Sequence, residues 1–457
     1  MVTKIMKVLC SILCALVLSF GISYAYEEVP DDAKSSAEDV SQQMIASQAP
    51  EAKSRLGKNT IVNLSSDNAE LIHVVLVDKS LKRLYIAVLN NDGMEVIKEF
   101  PILTGRVDGN KVKQGDEKTP EGVYFVVSYS SGDELVKRYG DYALIYGAGS
   151  FPLNYPNIVD KIEKKTGGGI WLHGVKPDLD KTYTQGCVAM NNTNFGLLYD
   201  NVSITTPVII AEKLVYSDEK DYNTIRNQQL EVLTSFITAW QDNDKEAFKS
   251  LVHSKFKTYG GATYKSYTNN KVNLMNIYPD KVIRNDNTKV FMKDDNYTVF
   301  DTNQYYCAAN LSTYTNKKYY FIKEEGRLKL ISEETSSMPV AKAPELNNEI
   351  KSFVENWAAS WKAQDIEKYM ANYDIKFKTD KENYNQWKSK KTTLFSQGEK
   401  ISLNISNIKW SYSGGEYRVE FIQEYSSGSV SDKGKKILTL SGCPSFFKIK
   451  SEIWRGI

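Results

Sequence analysis

The sequence predicts a mainly β domain followed by two α+β domains that are related to each other. Three observations carry this. Residues 70–213 hold short apolar runs separated by turn residues. Residues 222–336 and 345–457 repeat one order of helices and then strands. The length, 457 residues, is enough for roughly three domains.

The N-terminus is set apart from this plan. Residues 1–7 are short and basic, residues 8–22 are apolar, and Ser23-Tyr24-Ala25 places small residues where an export peptidase cuts. The apolar run is shorter than the about 20 residues that span a bilayer. Residues 1–25 are therefore expected to be a signal peptide, and the mature protein is expected to be periplasmic with no stable membrane insertion. Residues 26–69 are polar and are expected to form a linker or arm.

Removing the leader changes the arithmetic. The chain has 58 Lys+Arg and 56 Asp+Glu, and Lys4 and Lys7 fall in the leader, so 56 of each sign remain. A neutral chain lacks the basic surplus that general nucleic-acid binding needs, so no nucleic-acid partner is expected. Five cysteines fall to three: Cys187, Cys307 and Cys443. An odd number in an oxidising compartment leaves at least one thiol unpaired. Cys307 and Cys443 are expected as two buried core cysteines, with a bridge between them as the alternative.

Within 70–213, regular alternation starts at Leu71. Strands are expected over 71–78, 81–90 and 94–103, with turns at 78–80 and 91–93. Further strands are expected over 122–130, 170–174 and 202–212, and short helices over 133–140 and 157–167. In the remainder, residues 231–258 shifted by 121 positions fall on 352–379 with seven identities in 28 positions. Trp240 falls on Trp361, Asp244 on Asp365, Glu246 on Glu367, and Lys255-Phe256-Lys257-Thr258 on Lys376-Phe377-Lys378-Thr379. The boundary between the copies is the polar, proline-containing stretch 336–345.

Chemistry concentrates in residues 167–190. His173 ends an apolar strand, and Cys187 follows Gly186 fourteen residues later. A glycine permits a sharp turn that projects a thiol and aims backbone N–H groups at a bound carbonyl. A free thiol is about 8.5 in pKa, and a neighbouring imidazole activates it. Such a pair can attack a carbonyl and protonate the leaving amine. Backbone N–H groups around Gly186 and Cys187 are expected to stabilise the oxyanion. Metal chemistry is not expected, because His73, His173 and His253 lack ligand spacing and no Cys-x-x-Cys occurs. His73 reads as structural, and His253 is assigned no role. Gly167-Gly168-Gly169 precedes no helix and is not a phosphate cradle.

His173-Gly174 and Thr184-Gln185-Gly186-Cys187, with upstream Thr104-Gly105 and Thr119-Pro120-x-Gly122, resemble the L,D-transpeptidase catalytic domain. Stretches 151–160 and 165–174 resemble its branch of periplasmic L,D-carboxypeptidases. The resemblance implies a β-sandwich with the site in a groove, no cofactor, Cys187 as nucleophile and His173 as general base and acid. It implies oxyanion or substrate roles around Thr184, Gln185, Gly186 and Gly174. The implied partner is the peptidoglycan stem peptide, cut to release terminal D-alanine. Many transpeptidases of the family carry Arg two residues after the nucleophile, where this chain has Ala189. That departure and the short His–Cys loop resemble the hydrolytic branch. The repeats resemble the nuclear transport factor 2-like fold, a cone of helices wrapped by a curved sheet. They are expected to bind peptidoglycan or a cell-shape protein, or to support a homodimer, without chemistry of their own. The reading is an L,D-carboxypeptidase; the alternatives are an L,D-transpeptidase and a non-catalytic wall-binding scaffold.

Overall fold

The computed structural model describes residues 64–66, 71–90, 93–177, 182–214, 219–309 and 311–457. The signal peptide expected at 1–25 and most of the arm at 26–69 lie outside them. No helix among the described residues is long and apolar enough to cross a membrane.

The first ten strands are β1 (Leu64–Ser66), β2 (Ile72–Asp78), β3 (Arg83–Asn90), β4 (Gly93–Pro101), β5 (Gly122–Phe125), β6 (Ser130–Ser131), β7 (Gly149–Pro152), β8 (Trp171–His173), β9 (Val188–Ala189) and β10 (Pro207–Ala211). Helices α1 (Gly132–Tyr139), α2 (Ile158–Ile162) and α3 (Asn192–Tyr199) lie among them. One sheet runs β4-β3-β2-β10-β5 and a second runs β6-β7-β8-β9. Their facing sides share a core of Val75, Val77, Leu84 and Ile86 with Phe151, Leu172 and Val188. This is the two-layer β arrangement that the sequence predicts.

The expected alternation in β2 is not what the structure uses. Val74, Val75, Leu76 and Val77 are all fully buried. The first sheet is covered on both faces, and such strands read as continuous apolar runs. Its second face packs Val74, Leu76, Tyr85 and Ala87 against Phe291, Tyr297, Val299 and Tyr320 from the first repeat. Each such aliphatic side chain contributes about 1.5–3 kcal/mol when fully buried.

Local chemistry sets the element ends. Ser131 caps α1 in a capping box with Glu134. Asn157 caps α2 and also donates to Val123 O at 3.1 Å and to Tyr297 Oη at 3.3 Å. The helix expected over 157–167 stops at Ile162, and Lys164 takes φ 62°. The strand expected over 122–130 ends at Phe125, and that over 202–212 begins only at Pro207. Between them a turn forms, with Thr205 at φ 76° and Thr206 N–H bonded to Ser203 O at 3.0 Å. β7 and α3 are elements that the sequence reading did not predict.

The first repeat holds α4 (Glu219–Gln241), α5 (Lys245–Ser250), α6 (Tyr264–Ile277), β11 (Lys281–Asp294), β12 (Tyr297–Ala308), β13 (Leu311–Glu324) and β14 (Arg327–Met338). The second holds α7 (Leu346–Lys362), α8 (Ile366–Ala371), α9 (Tyr384–Ser396), β15 (Ile401–Ser413), β16 (Glu416–Ser427), β17 (Val430–Ser441) and β18 (Lys448–Gly456). Each has three helices on an antiparallel sheet, β11-β12-β13-β14 and β15-β16-β17-β18. Strand β1, inside the expected arm, pairs antiparallel with β11 and extends the first sheet to five strands.

The sequence identities between the repeats have physical reasons. Asp244 and Asp365 are the N-caps of α5 and α8, each accepting a backbone N–H at 3.0 Å. Trp240, Trp361, Phe256 and Phe377 are core residues, at most 5% exposed. The repeats also share a core, because Tyr305 and Tyr314 join the cluster around Trp357 and Tyr417. Arg284 reaches across with a forked pair of bonds to Glu349 at 2.7 and 2.9 Å. Cys307 and Cys443 are not two separate core thiols, as preferred from sequence. They form a disulfide that joins β12 to the segment before β18. The shared core brings their Cα atoms to 5.7 Å, which a sequence separation of 136 conceals.

Candidate active site

β8 and β9 pair in parallel, Leu172 beside Val188 and His173 beside Ala189. Leu172 and Val188 are fully buried in the sandwich core. Alternation along the strands therefore sends Trp171, His173 and Ala189 to the opposite face, and Cys187 falls on that face two residues before Ala189. His173 is buried at 7% exposure, and Cys187 is half-buried and in no disulfide. Thus the two residues singled out by sequence share one face of a two-strand unit.

The turn before Cys187 is held by Thr184. Its Oγ1 accepts the Gly186 N–H at 3.0 Å and donates to Cys187 O at 2.7 Å. Its backbone bonds Thr104 O at 2.8 Å and the Arg106 N–H at 2.9 Å. Thr119 Oγ1 in turn accepts the Gly105 N–H at 2.8 Å. Thr104, Gly105 and Thr119 thus brace the thiol turn from beneath. Gly186 has φ 132°, and a Cβ there would lie 2.8 Å from Lys118 O. Its N–H is engaged inside the turn by Thr184 Oγ1. Gln185 is exposed at the turn's tip. Gly174 permits close packing, since a Cβ would lie 2.4 Å from Asn192 Oδ1 and 2.9 Å from Ala148 N.

The group orienting the imidazole was not legible from sequence. It is the next residue's carbonyl: His173 Nδ1 lies 2.5 Å from Gly174 O. A proton on Nδ1 directed at that oxygen leaves Nε2 as the basic nitrogen. Tyr146 stands edge-on to the imidazole at 5.0 Å and rests on Trp171 at 4.8 Å. Burial, and then the Cys187 charge, push the Tyr146 and Tyr142 hydroxyls above the usual tyrosine range. Both hydroxyls therefore lie within electrostatic range of the thiol. Cys187 Sγ donates to Gly169 O at 3.3 Å, so the Gly-rich stretch, which sequence left without a role, reaches the candidate nucleophile. Sequence reasoning missed Tyr142, Tyr146 and Trp171; their one signal was aromatic density just upstream of the His strand.

The arrangement is that of a thiol and an imidazole on one rigid face. Comparison with known proteins identifies the domains around this face. Residues 72–210 match the family described as the L,D-transpeptidase catalytic domain (YkuD). Residues 228–334 and 349–452 each match the Cds6 C-terminal NTF2-like domain. No curated protein matches the chain. Among solved structures, Bd1075 of Bdellovibrio bacteriovorus is 28% identical at a TM-score of 0.54, covering 62% of this chain and 98% of that one. The helical cell shape determining protein Pgp2 of Campylobacter jejuni is 24% identical at a TM-score of 0.50, covering 61% of this chain and 95% of that one. The chain therefore carries the catalytic domain of the L,D-transpeptidases, a family of cysteine-dependent enzymes acting on peptidoglycan, followed by two NTF2-like domains.

Proposed function

We propose that this protein is an exported L,D-carboxypeptidase that trims peptidoglycan tetrapeptide stems to tripeptides in the periplasm and so influences cell shape. The observation that carries the reading is the β8–β9 register, which puts His173 and Cys187 on one face beside Tyr146. Cys187 Sγ attacks the carbonyl carbon of the bond before terminal D-alanine, and His173 accepts the thiol proton. The tetrahedral intermediate collapses, the C–N bond breaks, and His173 returns that proton to the leaving amine. Water then attacks the thioester with His173 as base, giving tripeptide and the free thiol. The Cys187 N–H serves as an oxyanion donor, because it belongs to the residue whose sulfur binds the carbonyl carbon.

Hydrolysis is favoured by what stands next to the imidazole. Ala189 is fully buried, in register with His173, and bonded through its backbone to Leu103 at 2.7 and 3.0 Å. It offers no side-chain charge to hold an amine acceptor. Export is supported by the basic-apolar N-terminus and by the Cys307–Cys443 disulfide, which suits an oxidising compartment. The cell-shape role draws on the likeness to the Campylobacter protein.

The test is to incubate the protein with purified muropeptides and follow their masses, with Cys187→Ala as control. Loss of one alanine from tetrapeptides is the expected result. Dimers or exchange of an added D-amino acid would make it a transpeptidase. No change in any substrate, with binding retained, would leave the scaffold reading.

A further inference from the structure

The corner that orients the imidazole is built almost without side chains. It runs through Tyr146, Gly147, Ala148 and Gly149 and lies backbone against backbone on Gly174 and Val175. A Cβ on Gly147 would lie 2.7 Å from both the N and the O of Val175, and one on Gly174 would lie 2.9 Å from Ala148 N. Gly147 takes φ 57°. Ala148 is exposed, and Tyr146 and Gly147 are half-buried. Glycine loses more conformational freedom on ordering than any other residue, and little burial is available here to offset that loss. Yet this corner carries two groups that meet His173. Gly174 O lies 2.5 Å from Nδ1, and the Tyr146 ring stands edge-on at 5.0 Å.

One side chain ties the two halves of the corner together. Asn192 Oδ1 accepts the Ala148 N–H at 2.8 Å. A Cβ on either Gly147 or Gly174 would collide with that same oxygen, so it is wedged between them. The backbone supplies two further ties. Gly174 N–H bonds Gly149 O at 3.1 Å, and Gly132 N–H bonds Ala148 O at 2.9 Å. Neither reaches the carbonyl side of Gly174, where the oxygen of Asn192 lies between the two chains.

This carboxamide is not needed by its own helix. Asn192 opens α3, but the cap of that helix is Asn191, whose Oδ1 accepts the Asn194 N–H at 2.7 Å. The buried face of α3 is carried by Phe195 and Leu198. Asparagine is also not among the strong helix formers. What remains is the reach of the side chain. β9 runs from the thiol directly into α3, so Asn192 follows Cys187 by five residues. Between them, Met190 N–H bonds His173 O at 3.0 Å. One short segment therefore carries the thiol, a bond to the backbone of the base, and the oxygen that holds the base's own acceptor in place.

We propose that Asn192 is a positioning residue of the active site: by clamping the Ala148 N–H beside Gly174, its carboxamide fixes the carbonyl that orients the His173 imidazole. Asn192 touches no reacting atom. The carbonyl it steadies keeps the proton on Nδ1, so that Nε2 is the nitrogen that takes the thiol proton. Without the clamp the glycine corner drifts and the ring turns with it, and a misplacement of about 1 Å costs about 10²-fold in rate. The consequence for turnover rests on the thiol–imidazole reading above; the clamp on the imidazole does not.

The experiment compares Asn192→Ala and Asn192→Asp with the parent, each as the full chain. Aspartate keeps an oxygen at the same reach, and alanine keeps none. The first readout is the downfield proton resonance of His173 Nδ1–H, recorded in chains that also carry Cys187→Ala, so that no turnover is needed. It is expected to persist with Asn192→Asp and to broaden or vanish with Asn192→Ala. The second is steady-state turnover of tetrapeptide muropeptide. Asn192→Ala is expected to lower kcat about 10–100-fold with KM changed by less than about threefold, and Asn192→Asp to restore kcat to within about threefold of the parent. Melting temperatures are expected to stay close together. A parent-like resonance and kcat in Asn192→Ala would overturn the proposal, and so would an equal loss of kcat in Asn192→Asp. A collapse of the melting temperature in Asn192→Ala would make the residue a structural one and overturn it too. If the parent itself fails to turn over tetrapeptide, the activity reading falls alone, and the resonance still decides the clamp.

Discussion

The two repeats fold alike but sit in different surroundings, and a few positions decide which is which. Aligning their first hairpins at the turns 295–296 and 414–415 gives an offset of 119. Phe300 and Val419 then coincide, and both are fully buried inside their own repeat. On the other face of the strand, Val299 coincides with Arg418 and Tyr297 with Glu416. Val299 is fully buried against the catalytic sheet, while the Arg418 side chain is 46% exposed and paired with Glu420 at 2.8 Å. The first repeat is thus a buttress under the first sheet of the catalytic domain, whose other face packs on the β8–β9 sheet that carries the site. The second keeps a polar outer face and is tied on through a shared core and a disulfide. One fold signature has yielded two mechanical roles through alternate residues on one strand.

The sharpest way to break this comparison is to exchange those residues. Val299→Arg buries an unpaired charge between the catalytic sheet and the first repeat. It should destabilise the protein by about 4 kcal/mol or more. Arg418→Val at the equivalent place should stay within about 0.5 kcal/mol, since it loses an exposed pair. Denaturant unfolding of both variants measures the difference, and equal effects would refute the assignment of roles.

Removing the covalent tie comes next. Cys443→Ser should cost about 2–5 kcal/mol. Amide exchange should place the loosening in the second repeat and its contacts with β12, with the catalytic sheet unaffected. Uniform loosening would show that the first repeat is no independent buttress.

Within the site, Thr184→Val removes the hydroxyl that both accepts from Gly186 and donates to Cys187 O. It should lower kcat about 10–100-fold with little change in melting temperature, and Thr184→Ser should restore it. Steady-state assays on tetrapeptide check this, and an unchanged kcat would mean that the turn needs no clamp.

The smallest effect separates the repeats by pH. Burial alone would raise Glu324, but Ser254, Lys329 and His253 hold it down at about 2. Its folded pKa lies below the unfolded value, so its stabilisation is present above about 4.5 and is lost as pH falls towards about 2. Glu324→Gln should cost about 1 kcal/mol at pH 6 and nothing at pH 2, after allowance for solvent screening. The second repeat has no counterpart, because the loop between β17 and β18 replaces the tight turn between β13 and β14. Melting curves at the two pH values test the sign.

Much of this was legible in the sequence where the signal is local. The capping aspartates, the aromatic helix faces and the His–Gly and Thr–x–Gly–Cys stretches each work through near neighbours. What stayed hidden depends on distant chain. The continuous burial of Val74–Val77 requires a repeat that starts more than 140 residues later. The Cys307–Cys443 bond requires the two repeats to share a core. Gly174 O as partner of His173 Nδ1 was adjacent in sequence, but nothing in the residue types distinguishes that carbonyl from a side-chain partner. The Thr184 clamp was hidden likewise, since the hydroxyl's direction is set by the backbone of the turn and not by the motif.

The central claim is that Cys187 carries an acyl group during turnover. Rapid quenching of the protein with tetrapeptide muropeptide, followed by intact mass and peptide mapping, tests it directly. The account predicts an adduct on Cys187 with the mass of the substrate acyl group after loss of D-alanine, absent in Cys187→Ala. D-alanine release by Cys187→Ala at the parent's rate, with no adduct on the parent, would contradict it.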